Sequence, residues 1–276
     1  MPWALHANDV ARLSKQWGCN SSDNFARQLL PSVLAKHELC SPANNTGTPK
    51  RCYIPISGFP CYAVVTGKTG GVYVGINLEF PGSPIGATLH AEQFATLVAA
   101  GVGRSRSMSW DETGLTSLAQ RGNGAPCGHC RQWLTEFVDA PSLTILGTES
   151  ESTRYNMSTI FANAFGPSAL NNTCPLLSQR PECTRPGTRP TQLRGARARQ
   201  QDALEQAAIN AATTAYAPYT NRRSGVALQL ASGRIVAEGH GRCDGENVGA
   251  LDPSMKSFFY HARTEPNSPF FTFKYE

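Results

Sequence analysis

Two short stretches, His90-Ala91-Glu92 and Pro126-Cys127-Gly128-His129-Cys130, decide how this chain is read. Cysteines at i and i+3 fall on one side of a helical turn, so the sulfurs of Cys127 and Cys130 can reach one ion. Both stand where a helix begins, and the free N–H groups and helix dipole favour the thiolate there. His90, at the start of a helix beginning at Leu89, would add an imidazole as third ligand. One imidazole and two thiolates make a mixed set suited to zinc, with the fourth position left for water. Glu92 need not ligate; it can stand beside that water and carry protons. A Cys-x-x-Cys pair alone would read as a structural zinc site or a redox pair. The upstream His-x-Glu and the proline before Cys127 favour a working site, and a redox pair would leave His90 and Glu92 without a role. His129, between the cysteines, points away from both sulfurs on a helix and is expected not to ligate.

Outward from these stretches, the pattern predicts a helix from Leu89 to Ala100 and another from Cys127 to Val138. Trp133, Leu134, Phe137 and Val138 form the buried stripe of the second, and a strand follows over Leu143–Leu146. Upstream, Tyr62–Val65, a glycine-rich turn over 66–71 and Val72–Ile76 read as a β-hairpin. An amphipathic run from Val10 to Leu34 is interrupted near Gly18, and residues 38–51 read as a loop. Strand, strand, helix, strand, helix, strand is an α/β plan, a mixed sheet covered by helices in a three-layer core. Asn77 and Glu79, at the end of the hairpin's second strand, lie on one side of it. Taken alone the pair reads as an ordinary solvated strand end, though the arrangement also suits a sugar diol.

The chain has 276 residues, 40% of them hydrophobic and only 16% charged, enough for two small domains. Neither a secretory leader nor a run long enough to cross a membrane is visible. Nine cysteines with one tight pair argue for a reducing, cytoplasmic setting rather than a disulfide framework. The net charge of +5 is concentrated in Arg180, Arg185, Arg189, Arg194, Arg197 and Arg199. No aromatic is interleaved to stack a base, so this stretch reads as a solvated linker and nucleic acid is not an expected partner. Beyond it, Asp202–Ala215 predicts a helix. Pro218 and Tyr219 then approach a second hairpin, Val226–Leu230 and Arg234–Glu238. This repeats the unit that starts at Pro55, but without a histidine and paired cysteines.

His90-Ala91-Glu92-Gln93 and Ala125-Pro126-Cys127-Gly128-His129-Cys130-Arg131-Gln132 resemble the cytidine deaminase family, in its larger homodimeric form of enteric bacteria and plants. The likeness covers most of 24–168 and resumes over 202–257; Asn77-Leu78-Glu79-Phe80-Pro81 and Asp139-Ala140-Pro141 lean toward plant members. It implies a zinc enzyme of pyrimidine salvage that converts cytidine and deoxycytidine to uridine and deoxyuridine. His90, Cys127 and Cys130 would hold the metal, and Glu92 would be catalytic. Asn77 and Glu79 would take the 3′-hydroxyl side of the ribose. Phe59 would pack on the pyrimidine, Ala91 would line the site, and Phe165 would close it. The expected domains are a catalytic unit over 1–168, a linker over 169–200, an incomplete non-catalytic deaminase-like unit over 201–257 and a divergent tail over 258–276. Pro60 departs from the family pattern and should mark the start of a strand, since proline denies a ladder its donor. At the carboxyl end, Glu246-Asn247 and Pro253-Ser254-Met255 resemble the family's second domain, but Leu251 replaces an aromatic and Asp252 an asparagine. These departures leave a catalytically weak or inactive relative as the alternative, and a polynucleotide deaminase as a further one.

Overall fold

The computed structural model describes residues 4–38, 54–79, 82, 84–100, 112–120, 125–147, 153–172, 174–178, 203–213, 215–219, 224–229, 233 and 235–240. Most of the expected linker, the words Glu246-Asn247 and Pro253-Ser254-Met255, and the tail lie outside these residues. The amphipathic run forms α1 (Ala7–Trp17) and α2 (Ser22–Glu38). Gly18, at φ 68°, ends α1 in the left-handed region, where a side chain would be strained. Trp17 then stacks on Phe25 with ring centroids 5.3 Å apart, folding α1 against α2.

The hairpin is β2 (Tyr62–Gly67) and β3 (Val72–Ile76). Pro60 stands two residues before it, so no ladder bond is lost to the proline. A six-stranded sheet is ordered β1-β3-β2-β4-β5-β6, with β1 (Ala4–Leu5), β4 (Leu115–Gln120), β5 (Thr144–Leu146) and β6 (Arg154–Asn156). Within this sheet β4 and β5 run parallel, and the other pairings in it are antiparallel. Every residue of β2 and β3 is buried, so both faces of the central hairpin are covered. The mixed sheet between helices is as expected; the two edge strands β1 and β6 are additional, being too short to show a period.

Two helices carry the metal-site residues, α3 (Ala91–Ala99) and α4 (Gly128–Leu134). The predicted helix to Val138 is corrected: α4 stops at Leu134. The Thr135 hydroxyl donates to the Gln132 carbonyl at 2.7 Å. Val138 N–H then donates to Leu176 O at 2.9 Å, and Leu176 N–H to Glu136 O at 2.8 Å. A distant strand-like segment thus takes the backbone groups that a longer helix would have used. The buried stripe holds for Trp133, Leu134 and Phe137. Close packing of α3 on the sheet depends on Gly75, where a Cβ would lie 2.2 Å from Ala91 O and 2.4 Å from Ala95 N.

A short α5 (Met157–Ile160) follows β6. The second unit comprises α6 (Ala203–Thr213) packed on a hairpin of β7 (Ser224–Gln229) and β8 (Ile235–His240). Gly225 gives the same close approach as Gly75, its Cβ position lying 2.3 Å from Ala208 O and 2.4 Å from Ala212 N. Between the units, Tyr216 and Tyr219 donate from their hydroxyls to the fully buried Glu136 carboxylate at 2.9–3.1 Å. Cys174 is disulfide-bonded, which the expected reducing setting did not anticipate. Among the described residues, no helix is long and apolar enough to cross a membrane.

Candidate metal centre and substrate cleft

The site is assembled by two helix starts and a strand end. After β3 the chain makes a bridge in which Leu78 and Leu89 exchange N–H···O bonds of 2.8 and 3.0 Å. That bridge sets Asn77 and Glu79 beside the start of α3. His90 is the N-cap of α3, and the Gln93 side chain accepts from its N–H at 3.1 Å, as in a capping box. Cys127 is the N-cap of α4 and Cys130 lies in its first turn. The Trp133 indole N–H donates to the Thr96 hydroxyl at 2.8 Å, tying α4 to α3 inside the core. Arg131 donates to Pro126 O and to Ile160 O, each at 2.7 Å, and so fixes the turn that presents Cys127.

Among the described residues, one group of three side chains lies close enough to hold an ion: His90, Cys127 and Cys130, with ligand atoms within 4.8 Å of one another. His90 Nδ1 is 3.4 Å from each sulfur. Tetrahedral zinc, with Zn–S near 2.3 Å and Zn–N near 2.0 Å, sets an N···S edge of about 3.5 Å, so the triangle fits that metal. The other ring nitrogen, Nε2, faces Ile85 O at 3.4 Å. A carbonyl there selects the tautomer that leaves Nδ1 free to ligate. His129 is outside the triangle; its ring centroid is 5.6 Å from that of His90.

The electrostatics of the group are uneven. The Cys127 thiol is drawn down to about 3, chiefly by the hydrogen bond from Cys130 and, against a burial penalty, by His90. Burial pushes Cys130 well above the ordinary thiol range. Burial also works against charge on His90, but the hydrogen bond and negative charge of Cys127 leave it raised. Glu92, 9% exposed in the first turn of α3, is raised by burial. A carboxyl that favours its proton, beside sulfurs that would both ionise on a divalent cation, is the polarity that acid–base work at a metal needs.

These residues open on a cleft of about 360 Å³ that Phe59, Asn77, Glu79, Ala91 and Glu92 share with His90 and Cys127. This is within the range of small-molecule sites. Phe59 is 53% exposed. Asn77 and Glu79 are both buried, and their polar atoms hold the segment before β2. Cys61 N–H donates to Asn77 Oδ1 at 2.8 Å, and Asn77 Nδ2 donates to Phe59 O at 3.0 Å. Ile56 N–H and Ser57 N–H donate to Glu79 Oε2 at 2.8 and 2.9 Å, and the Ser57 hydroxyl donates to Oε1. Phe165 is not brought to this cleft within the single chain. It is 54% exposed, and its carbonyl accepts from Gln132 at 2.6 Å. A larger hollow of about 450 Å³, lined by Phe137, Met157 and Phe161, carries none of the metal-ligating side chains. Sequence reasoning missed Ser57, Arg131 and Thr96. Only Ser57-Gly58 carried a local signal, that of a turn, and nothing in it pointed to Glu79.

Comparison with known proteins finds two profile matches along the chain. A family profile described as "Cytidine and deoxycytidylate deaminase zinc-binding region" matches residues 44–145, and a second profile of that description matches 157–257. A cytidine deaminase of Vibrio vulnificus is 37% identical over 203 residues, 74% of this chain and 59% of its own length. One from Serratia proteamaculans is 33% identical over 256 residues, 92% of this chain and 71% of its own. The chain thus spans about 59% of the Vibrio relative. The crystal structure of cytidine deaminase from Mycobacterium leprae aligns at a TM-score of 0.32, with 26% identity, covering 42% of this chain and 88% of that one. With the extent of the Serratia match and a metal triangle of matching chemistry, this chain belongs to the cytidine deaminase family.

Proposed function

We propose that the protein deaminates free cytidine and deoxycytidine, releasing ammonia and leaving uridine and deoxyuridine. The observation that supports this most is the cleft itself. It joins a His–Cys–Cys triangle and a buried carboxyl to a strand end, Asn77-x-Glu79, suited to a sugar. Zinc held by His90, Cys127 and Cys130 would act as a Lewis acid and lower the pKa of a water from about 16 toward roughly 7. The chain's own residues do the rest. Asn77 and Glu79 take the sugar, Phe59 covers one face of the pyrimidine, and Ala91 lines the pocket beside the ring. Glu92 holds a proton that it delivers to N3, making C4 more electrophilic. It then takes a proton from the water and passes it to the exocyclic nitrogen. The C4–N bond breaks, a C4–O bond from water replaces it, and the nitrogen leaves as ammonia. The proton remaining on that oxygen returns to Glu92, leaving the C4 carbonyl of the product.

The proposal takes 1–168 as the catalytic unit and 201–257 as a non-catalytic one, in a homodimer. Phe165, half-exposed and away from its own chain's cleft, supports a second copy as the place where it could close one. The test is ammonia release from cytidine, deoxycytidine, CMP and a cytosine-bearing oligonucleotide by the zinc-loaded protein. Turnover of both nucleosides is expected, with CMP poor because Glu79 repels added negative charge near the sugar. Preference for the oligonucleotide would overturn the proposal.

A further inference from the structure

We infer that Ser57 is a positioning residue that couples recognition of the sugar to placement of the aromatic over the base. The inference rests on the reading of the cleft as a nucleoside site. The Phe59 N–H donates to Ser57 Oγ at 3.0 Å, and the Ser57 hydroxyl in turn donates to Glu79 Oε1. One oxygen therefore stands between the backbone that carries Phe59 and the carboxylate assigned to the sugar. Among the described residues, Ser57 is the one donor to Oε1, while Oε2 is taken by two backbone N–H groups. Oε1 is thus the atom with a lone pair left for a ligand. Ser57, Phe59 and Glu79 all line the cleft.

Asn77 holds the far end of the segment through Phe59 O and Cys61 N–H, and Gly58 N–H donates to Ile54 O at 3.1 Å. Ile56 and Phe59 are 41% and 53% exposed, and Gly58 turns the chain at φ 61°. Hydrogen bonds from such a segment to a buried carboxylate are of the stronger, charge-assisted kind. A sugar hydroxyl donating to Oε1 would polarise the same chain of bonds, so the sugar and the ring position would be felt together. Without the Ser57 hydroxyl, Glu79 could still meet the sugar, but Phe59 would lose the bond that ties its N–H to that event.

The experiment compares KM and kcat for 2′-deoxycytidine and 2′,3′-dideoxycytidine, which differ only in the 3′-hydroxyl, in the zinc-loaded full chain. Wild type, Ser57→Ala and Ser57→Thr are measured side by side. Wild type is expected to favour the 3′-hydroxyl by about tenfold or more in KM, the range of a hydrogen bond to a charged group. In Ser57→Ala that preference should shrink at least severalfold, through a KM increase confined to 2′-deoxycytidine. Ser57→Thr, which keeps the hydroxyl, should restore it. If Ser57→Ala raises KM equally for both nucleosides, or leaves the preference intact, Ser57 is only a structural turn and the inference fails while the cleft reading stands. If wild type itself ignores the 3′-hydroxyl, the sugar reading of Glu79 fails, and this inference with it.

Discussion

Glu92 is the side chain on which turnover should depend most sharply. It lies outside the ligand triangle, so replacing its carboxyl leaves the three donor atoms in place. Glu92→Gln is expected to bind zinc at wild-type stoichiometry by metal analysis, while turnover falls by at least the 10²–10⁴-fold or so typical of a lost general acid–base group. Substantial activity in folded, zinc-loaded Glu92→Gln would sink the assignment. Cys130 is the converse case. It is fully buried and 3.4 Å from His90 Nδ1, so Cys130→Ala removes a ligand without opening a route for another. Zinc content should fall well below one per chain after dialysis against a chelator, with ammonia release falling in step. In the wild type, chelator should abolish turnover and added zinc should restore it. Zinc retained at one per chain in Cys130→Ala would exclude that sulfur from the ligand set.

At the level of elements, the two units rest on one packing device. A helix lies so close to a strand that only glycine fits between them, at Gly75 under α3 and at Gly225 under α6. In both cases the atoms that a Cβ would meet are helix backbone, which cannot swing aside as a side-chain tip would. Overpacking of this kind costs about 1–3 kcal/mol. Gly75→Ala should therefore lower the melting temperature by several degrees. Because α3 carries His90 at its N-cap and Glu92 in its first turn, it should also weaken zinc binding. Gly225→Ala makes the same change away from the triangle and should leave zinc content at wild-type level. Equal zinc losses in the two variants would mean that the triangle depends on the whole chain rather than on the seating of α3. The end of α4 follows a similar logic. Its apolar stripe continues to Phe137, but Leu176 claims the backbone at Glu136 and Val138, so the chain leaves the helix while keeping Phe137 buried.

Across the whole molecule, a polar contact joins the units. Glu136 is fully buried, accepts from Tyr216 and Tyr219, and stands just beyond the helix that carries Cys130. Asn172 Nδ2 donates to the two hydroxyls at 3.0 and 3.4 Å, completing the cluster. A hydrogen bond to a charged group contributes about 1.5–3 kcal/mol, and a buried acceptor left short of donors costs more than the bond alone. Changing both tyrosines to phenylalanine keeps the rings and removes only the hydroxyls, which donate to Glu136 and accept from Asn172. Tyr216→Phe with Tyr219→Phe should shift the urea midpoint downward. It should also make residues 203–240 easier for trypsin to remove, while the zinc unit persists. An unchanged midpoint and digestion pattern would show that the rings, not the hydroxyls, hold the units together.

The two halves of the candidate metal triangle were legible in the sequence because each is local. Cys127 and Cys130 share a helical turn by their spacing alone, and His90 and Glu92 are two residues apart. The hairpin, α3 and the repeated helix-and-hairpin unit were legible for the same reason, since their periods of 2 and 3.6 residues recur within a few turns. What occupies each buried polar group was decided only by the tertiary structure. Asn77 and Glu79 read as free to meet a sugar, yet the folded chain bonds both to the segment before β2. Glu136 showed nothing in the sequence, and its partners lie 80 and 83 positions away. Phe165 read as part of the pocket, but Gln132 holds its carbonyl and its ring stands outside that cleft. A buried donor or acceptor must find a partner wherever the fold provides one, and pairings over such separations leave no periodic trace in the chain.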